Sequence, residues 1–202
     1  MLTKIHGMFR ESAEVKLRFV GQYALDIELV ARRMAETLRR GGKILLFGNG
    51  GSAADAQHLA AEFVGRFARN RRALAALALT TDTSALTSIG NDLGFDQIFA
   101  RQVAALGRPG DVVVAISASG NSPNVLEGVV AARRLGCITV GLTGGSGGQL
   151  SKVVDEAFIV PSNETPRIQE THITLGHALC ALVEELLLAA GTEVDVKSDG
   201  RG

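Results

Sequence analysis

Short, uninterrupted apolar runs alternate with helical stretches along most of this chain, and this alternation limits the possible folds more than any other feature. The apolar runs lie at residues 43–47, 74–79, 112–116, 138–142 and 157–160. The helical stretches between them lie at residues 53–64, 84–89, 97–106 and 125–135. Strands that are apolar on both faces are typical of parallel sheets covered by helices on both sides. The sequence therefore predicts an α/β fold: a doubly wound, five-stranded parallel sheet flanked by helices.

Both ends of the chain add helices to this sheet. Over the first forty residues, apolar side chains recur at three- and four-residue spacing, which predicts helix. Gly21 interrupts the pattern, so we expect two N-terminal helices, of which the second ends at Gly41. A long C-terminal helix is predicted from about Pro166 to Ala190. We expect one structural domain with three parts: an N-terminal helical segment at residues 1–40, an α/β unit at 41–191 and a flexible polar tail at 192–202.

Composition excludes several classes of protein. The chain has 21 basic and 21 acidic residues, so its net charge gives no general attraction to nucleic acid or to anionic membranes. No apolar run reaches the length of a transmembrane helix, and the N-terminus lacks a signal segment, so we expect a cytoplasmic protein. Cys137 and Cys180 lie at or within apolar stretches, and we interpret both as buried free thiols.

A serine-rich turn follows the third apolar run. Residues 117–122 read Ser-Ala-Ser-Gly-Asn-Ser, and Pro123 opens the next helix. Backbone N–H groups and the helix dipole favour an anion at such a junction, and serine hydroxyls add donors without adding charge. A plain turn with a helix cap is the alternative, but three serines at one strand-to-helix junction favour a phosphate site.

A glycine-rich loop follows the first apolar run. Residues 48–53 read Gly-Asn-Gly-Gly-Ser-Ala, which formally matches the dinucleotide fingerprint. That fingerprint requires an acidic residue about 20 positions later, at the end of the next strand. Here the next strand reaches an acidic residue only at Asp82, and no P-loop lysine is present. A nucleotide-dependent enzyme is therefore the weakest hypothesis, and glycines that let a sugar approach the backbone fit at least as well.

Candidate acid, base and metal ligands lie on two predicted helices. His58 and Glu62 are spaced i, i+4 after the glycine loop, although such pairs are commonly solvated surface pairs. His177 lies in an apolar stretch, so it is either a satisfied core histidine or a half-buried functional one. Together with Gln169 these residues offer a nitrogen and oxygen set that zinc accepts.

The spacing of Gln169 and His177 complicates such a site. Eight residues of helix separate them by about 12 Å along the axis and about 80° around it. One metal ion binds both side chains only if it lies between their tips, or if a neighbouring subunit completes the site. Both arrangements remain open at the level of sequence.

Taken together, these motifs resemble the phosphoheptose isomerase family of the sugar-isomerase (SIS) domain superfamily. The resemblance spans roughly residues 5–190, and the matching segments are 48–58, 61–62, 90–92, 117–122 and 167–172, with His177 at the matching spacing. It implies that residues 41–191 form a SIS domain. It also implies an aldose–ketose isomerase that converts D-sedoheptulose 7-phosphate to D-glycero-D-manno-heptose 7-phosphate through an enediol. The product would feed bacterial heptose synthesis for lipopolysaccharide or surface glycans.

The same resemblance implies roles for individual residues. Glu62 would be the catalytic base and His177 the catalytic acid, and His58, Glu62, Gln169 and His177 would hold one Zn²⁺ per subunit of a homotetramer. The substrate contacts would be Asn49, Gly50, Gly51, Ser52, Glu62, Asn91, Asp92, Ser117, Ala118, Ser119, Ser122 and Gln169. The N-terminal and C-terminal helices carry more apolar surface than one sheet layer needs, which favours burial between subunits.

Two positions depart from the family pattern. Ala118 stands where family members often have Thr, and Pro166 stands where some have Asp near the sugar. The alternative function is a non-catalytic SIS-domain binding protein of the class that associates with a replication initiator. Proteins of that class tend to lack the metal ligands, so the presence of all four ligands here favours the enzyme.

Overall fold

The computed structural model describes residues 1–189 of the chain. Seven helices are present in this range: α1 (Leu2–Arg39), α2 (Gly51–Val64), α3 (Thr83–Leu93), α4 (Ile98–Leu106), α5 (Pro123–Arg134), α6 (Leu150–Val153) and α7 (Thr165–Ala189). The five strands are β1 (Ile44–Gly48), β2 (Ala76–Ala78), β3 (Val112–Ile116), β4 (Ile138–Gly144) and β5 (Glu156–Val160). The predicted tail at 192–202 and the predicted helix end at Ala190 lie outside the described residues.

The strands form one parallel sheet in the order β2-β1-β3-β4-β5. The chain moves to one side of β1 to form β2 and to the other side to form β3, so the strand order reverses at β1. The loops that follow β1 and β3 therefore diverge and leave a crevice outside the carboxyl ends of these strands. In open α/β sheets this is where ligands bind. Both sequence motifs, the glycine loop and the serine turn, flank this crevice.

The apolar runs of β1 and β3 alternate between two cores, one on each face of the sheet. In β1, Ile44 and Leu46 belong to the core that also contains buried residues of α1, α2 and α7. Leu45 and Phe47 belong to the core on the opposite face, with residues of α4 and α5. This confirms the predicted doubly wound sheet, because strands buried on both faces need apolar residues at every position. Because α2 and α7 both contribute to the first of these cores, they lie in the same layer.

The N-terminal region corrects the prediction of two helices. Residues 2–39 form a single helix, and Gly21 lies exposed within it without breaking it. A glycine in a helix interior costs about 1 kcal/mol relative to alanine. Phe19 and Ile27, on either side of Gly21, are both buried in the core, and this packing outweighs the local cost.

The last helix, α7, is long and apolar enough to cross a membrane by length and composition alone. However, Leu175, Leu179 and Val183 are buried in the core that α7 shares with the sheet. Buried core helices of soluble proteins have the same composition, and α7 packs as one of them. Within this layer Cys180 is a buried free thiol, as predicted, and Cys137 is buried on the other face.

Candidate active site

The serine turn directs its hydroxyl groups at one another rather than at the backbone of the next helix. Ser117 Oγ lies 3.0 Å from Ser122 Oγ and 3.5 Å from Ser119 Oγ. Ser122 occupies the N-cap of α5, yet its side chain makes no capping hydrogen bond. The three hydroxyls are therefore gathered at a helix N-terminus and remain available as uncharged donors. This is the arrangement expected of an anion site, and it disfavours a plain capped turn.

The glycine loop lies next to this turn across the crevice. The amides of Asn49 and Asn124 form a reciprocal pair, with N···O distances of 2.8 and 2.9 Å. Asn124 is buried at the start of α5, so the pair joins the loop after β1 to the helix that follows the serine turn. Asn49 was predicted from the sequence, whereas Asn124, two residues after Ser122, was not, because the two side chains meet only through the fold.

The start of α7 lines the other side of the serine turn. Ser119, Gly144 and Ile168 contribute to a cavity of about 250 Å³ between the ends of β3 and β4 and α7. Gln169, the next residue of α7, lies against the first residue of α2, because a Cβ placed on Gly51 would be 2.5 Å from Gln169 Nε2. The two motif loops and the N-terminal end of α7 therefore enclose one region.

Further along α2 and α7, three predicted site residues meet. His58 Nε2 lies 2.9 Å from His177 Nε2 and 3.3 Å from Glu62 Oε1. The Phe67 ring packs beside His177, with 5.6 Å between ring centroids. His177 is half-buried and has His58 as a partner, so it is not an isolated core histidine. His58 and Glu62 are likewise more than a solvated surface pair.

Close helix packing produces this meeting. Gly176 faces Leu59, and a Cβ on Gly176 would lie 2.5 Å from both methyl groups of that leucine. Gln169 meets Gly51 at the start of α2, while His177 meets His58 two turns later. The two helices therefore run side by side in the same direction, and the missing side chain at Gly176 brings His58 and His177 into contact.

The cluster has the composition of a metal site. The ligand atoms of His58, Glu62 and His177 all lie within 4.8 Å of one another. Around a tetrahedral zinc ion, with bonds of about 2.0–2.2 Å, ligand atoms are separated by roughly 3.3–3.6 Å. The observed distances of 2.9 and 3.3 Å are close to that range. Two imidazoles and a carboxylate are also a common protein ligand set at catalytic zinc sites, so the residues present fit a metal ion.

Asp55 is an additional acidic group near this cluster. Burial raises the pKa of Asp55, and the neighbouring His58 and His177 partly offset that effect. Within residues 1–189, its buried Oδ2 atom has no hydrogen-bond partner. Its spacing of three residues before His58 places it on the same face of α2.

His172, which is part of the matching sequence segment, has a structural position. It is buried, and its Nε2 lies 3.1 Å from the carbonyl oxygen of Thr143 at the end of β4. Burial lowers the pKa of His172 to about 4, and the bond to Thr143 only partly opposes this. The imidazole is therefore neutral at physiological pH, donates to Thr143 and joins α7 to the sheet.

Two predicted substrate residues lie apart from the cluster within this chain. Asn91 and Asp92 are exposed at the C-terminal end of α3, and Asn91 Nδ2 donates to Asp92 Oδ1 at 2.7 Å. Across residues 1–189, no hydrogen bond joins either side chain to the serine turn or to the His–Glu cluster. Asp82, the acidic residue considered for a nucleotide site, caps α3 by accepting from Ala85 N–H at 2.9 Å, so its carboxylate has a structural partner.

Comparisons with known proteins agree with this geometry. The sequence profile of the SIS domain family matches residues 8–144. The chain is 60% identical to the phosphoheptose isomerase of Aquifex aeolicus, covering 93% of this chain and 98% of that protein. It is similar in structure to the phosphoheptose isomerase from Francisella tularensis, with a TM-score of 0.88 and 39% identity, over 91% of this chain and 98% of the other.

A second solved structure gives the same result. The phosphoheptose isomerase of Neisseria gonorrhoeae has a TM-score of 0.85 and 47% identity, over 91% of this chain and 98% of the other. The sheet order, the loops at the crevice and the helices α2 and α7 thus lie within a fold shared almost end to end with these proteins. The chain belongs to the phosphoheptose isomerase family of SIS-domain proteins.

Proposed function

We propose that this protein is a phosphoheptose isomerase that converts D-sedoheptulose 7-phosphate to D-glycero-D-manno-heptose 7-phosphate in the cytoplasm. The observation that carries the proposal is the meeting of Glu62, His58 and His177 on two helices that begin at the crevice beside the serine turn. The relatives, which are phosphoheptose isomerases by name, support this substrate. The product would feed the synthesis of heptose for lipopolysaccharide or other surface glycans.

The substrate phosphate binds at the serine turn. Ser117, Ser119 and Ser122 donate from their hydroxyls, and the N-terminus of α5 adds the positive end of its dipole. Because these donors are uncharged, the turn can hold the phosphate dianion without a buried cationic side chain, which would itself need a partner. The wider set of proposed contacts is Asn49, Gly50, Gly51, Ser52, Glu62, Asn91, Asp92, Ala118 and Gln169.

Proton transfer takes place over the sugar carbons. Glu62 removes a proton from the carbon next to the carbonyl, which gives a cis-enediol. His177 moves protons between the two oxygens, and Glu62 returns its proton to the former carbonyl carbon, which completes the conversion of ketose to aldose. General acid–base assistance of this kind contributes roughly 10²–10⁴-fold to a rate.

His58, Glu62 and His177 would hold the zinc ion, and Gln169, which lies two helical turns before His177, would complete the set of four. When bound, zinc supplies Lewis-acid polarisation of the substrate carbonyl. A carboxylate that ligates a metal is less basic, so Glu62 would act as ligand and as base in different states of the cycle. Asn91 and Asp92 reach the substrate from a neighbouring subunit of a homotetramer, which accounts for their exposure within one chain.

A coupled assay with sedoheptulose 7-phosphate, with and without a chelator, tests this function. We expect turnover by the purified protein, its loss on chelation and its recovery when zinc is added. Glu62→Gln should lower kcat by about 10²–10⁴-fold in a protein that still folds. Glu185→Gln, an exposed position on α7, is the matched control and should leave kcat unchanged. A folded Glu62→Gln protein with normal turnover would exclude the mechanism.

The alternative is a SIS-domain protein that binds a partner and has no isomerase activity. A protein that holds no metal and turns over no sugar phosphate, but still binds a protein partner, would support it. The relatives at 52–60% identity are named as isomerases, and the three close ligand atoms fit a metal. Both observations favour the enzyme.

A further inference from the structure

A buried ion pair lies behind the His–Glu cluster, outside the residues assigned to the reaction. Arg71, in the segment after α2, and Glu184, on α7, are separated by 2.8 Å between Nε and Oε1. Their side chains are only 4% and 2% exposed. Replacing such a pair with apolar residues is frequently neutral for stability, so stability alone does not explain its presence.

On one side, the pair holds the segment that touches His177. The carboxylate of Glu184 accepts hydrogen bonds from the backbone N–H groups of Phe67, Ala68 and Arg69, at 2.9, 3.0 and 3.0 Å. The ring of Phe67 packs against the ring of His177. Glu184 itself lies two helical turns after His177 on α7, so the contact ties this segment to the helix that carries the proposed acid.

On its other side, the pair holds the end of the helix that carries the proposed base. The guanidinium of Arg71 donates to the carbonyl of Glu62 at 2.8 Å and to that of Phe63 at 2.9 Å. The last carbonyls of a helix have no partner within the helix, and a basic side chain that binds them stabilises its final turn. Arg71 therefore fixes the backbone of Glu62 directly.

We propose that Arg71 and Glu184 are positioning residues that hold Glu62 and His177 at the separation needed for zinc binding and proton transfer. The inference rests on the proposed function, because it assigns the pair a role in that site. Within residues 1–189, this is the ion pair that joins α7 to the segment leaving α2. A shift of either partner would move the last turn of α2 relative to His177.

Arg71→Lys tests the inference with the charge retained. Lysine neutralises Glu184 but lacks the planar fork that reaches two carbonyls and a carboxylate together. Loss of residues that support metal ligands typically costs about 10–100-fold in metal affinity or activity. We expect the zinc affinity of the metal-free protein, measured by competition with a chromophoric chelator, to fall within that range. We also expect kcat to fall at least about 10-fold with KM unchanged, because the serine turn is untouched.

Two further variants keep the test decisive. Arg72→Lys is the matched control in the same segment, since Arg72 donates to the carbonyls of Leu38 and Ala73 and to neither α2 nor α7. It should match the wild type in zinc affinity and kcat. Glu184→Gln keeps an oxygen for the backbone N–H groups but removes the charge, and it should show the same losses as Arg71→Lys.

Folded Arg71→Lys and Glu184→Gln proteins with wild-type zinc affinity and kcat would overturn the inference. Unfolding of both variants would assign the pair to stability alone and would overturn it as well. A wild-type protein that neither binds zinc nor turns over sedoheptulose 7-phosphate would instead remove the proposed function. The two failures are therefore distinguishable.

Discussion

Burial separates two histidines of α7 that are five residues apart in the chain. His172 is buried, with its Nε2 beside the carbonyl oxygen of Thr143, and burial lowers its pKa to about 4. His177 is half-buried and meets His58, with Glu62 nearby. Of the two, His177 has partners whose side chains are capable of proton exchange or metal binding. The environment of each side chain therefore decides which histidine has a structural role and which is suited to chemistry.

The lowered pKa of His172 predicts a loss of stability in acid. Between its ordinary value of 6.5 and the folded value of about 4, the unfolded chain binds a proton that the folded protein does not. Stability therefore falls as pH decreases through this window, by about 2 kcal/mol between pH 7 and pH 5. Urea unfolding at the two pH values measures the loss.

His172→Gln is the control for this prediction, because glutamine can still donate to Thr143 without titrating. Between pH 7 and pH 5, the free energy of unfolding of the variant should therefore fall by less than that of the wild type, and the difference is the part due to His172. The pKa of Glu184 is lowered, because backbone N–H donors and Arg71 outweigh the burial that raises it. The stabilisation that Glu184 contributes is therefore lost mainly below pH 4.5. That lies outside the interval from pH 7 to pH 5 used for His172. Equal losses in the wild type and the variant would contradict the assignment.

Among the secondary-structure elements, the turns at the strand ends carry the tightest geometric demands. Gly120, inside the serine turn, has a φ of +67°, and a Cβ on it would lie 2.2 Å from the carbonyl oxygen of Gly147. The turn therefore packs directly against the loop after β4. A side chain at this position would separate the two loops and spread the serine hydroxyls.

Gly120→Ala should raise KM for sedoheptulose 7-phosphate by at least about 10-fold, which corresponds to about 1.4 kcal/mol of binding. Steady-state kinetics and thermal unfolding measure the effect. Gly110→Ala is the matched control, because Gly110 also has a left-handed φ, of +85°, but open space around it. It should lose about 1–2 kcal/mol of stability from backbone strain with KM unchanged. Equal KM values in the two variants would show that the serine turn does not hold the phosphate.

Among residues 1–189, taken as a whole, exposed large apolar side chains are concentrated on α1. Phe9, Leu17 and Leu25 are 76%, 70% and 82% exposed. One face of α1 supplies the core through residues such as Phe19 and Val30, and the three exposed side chains lie outside that buried set. Contiguous apolar surface on a soluble protein commonly marks an interface. We propose that copies of this chain bury it in a homotetramer.

Light scattering at micromolar concentration should therefore give a mass larger than the 21.2 kDa of one chain. Leu17→Glu together with Leu25→Glu should shift the protein toward monomer, because two charges would be buried without partners. Leu106→Glu, at an exposed leucine of α4, is the control and should leave the mass unchanged. A wild-type protein that is monomeric under these conditions would contradict the assembly.

The local sequence pattern was sufficient to predict the sheet and the two motif loops. The runs that form the five strands were predicted within two residues at each end. In β1 and β3, which are buried on both faces, every position must be apolar, and this made them readable from sequence. The glycine loop and the serine turn were identified because backbone freedom and hydroxyl donors are properties of the residues themselves. Prediction was wrong at Gly21, where long-range packing outweighs local preference, and the short helix α6 was not predicted.

Only the tertiary structure decided which side chains of different helices meet. His58 and His177 are 119 positions apart in sequence, and their contact depends on α2 and α7 lying in the same layer. That layer follows from the strand order β2-β1-β3-β4-β5 and from the close approach at Gly176. The pairing of Asn49 with Asn124 and that of Arg71 with Glu184 have the same origin. A hydrophobic period shows that a face is buried but not what covers it, because the covering partner is set by how the whole chain packs.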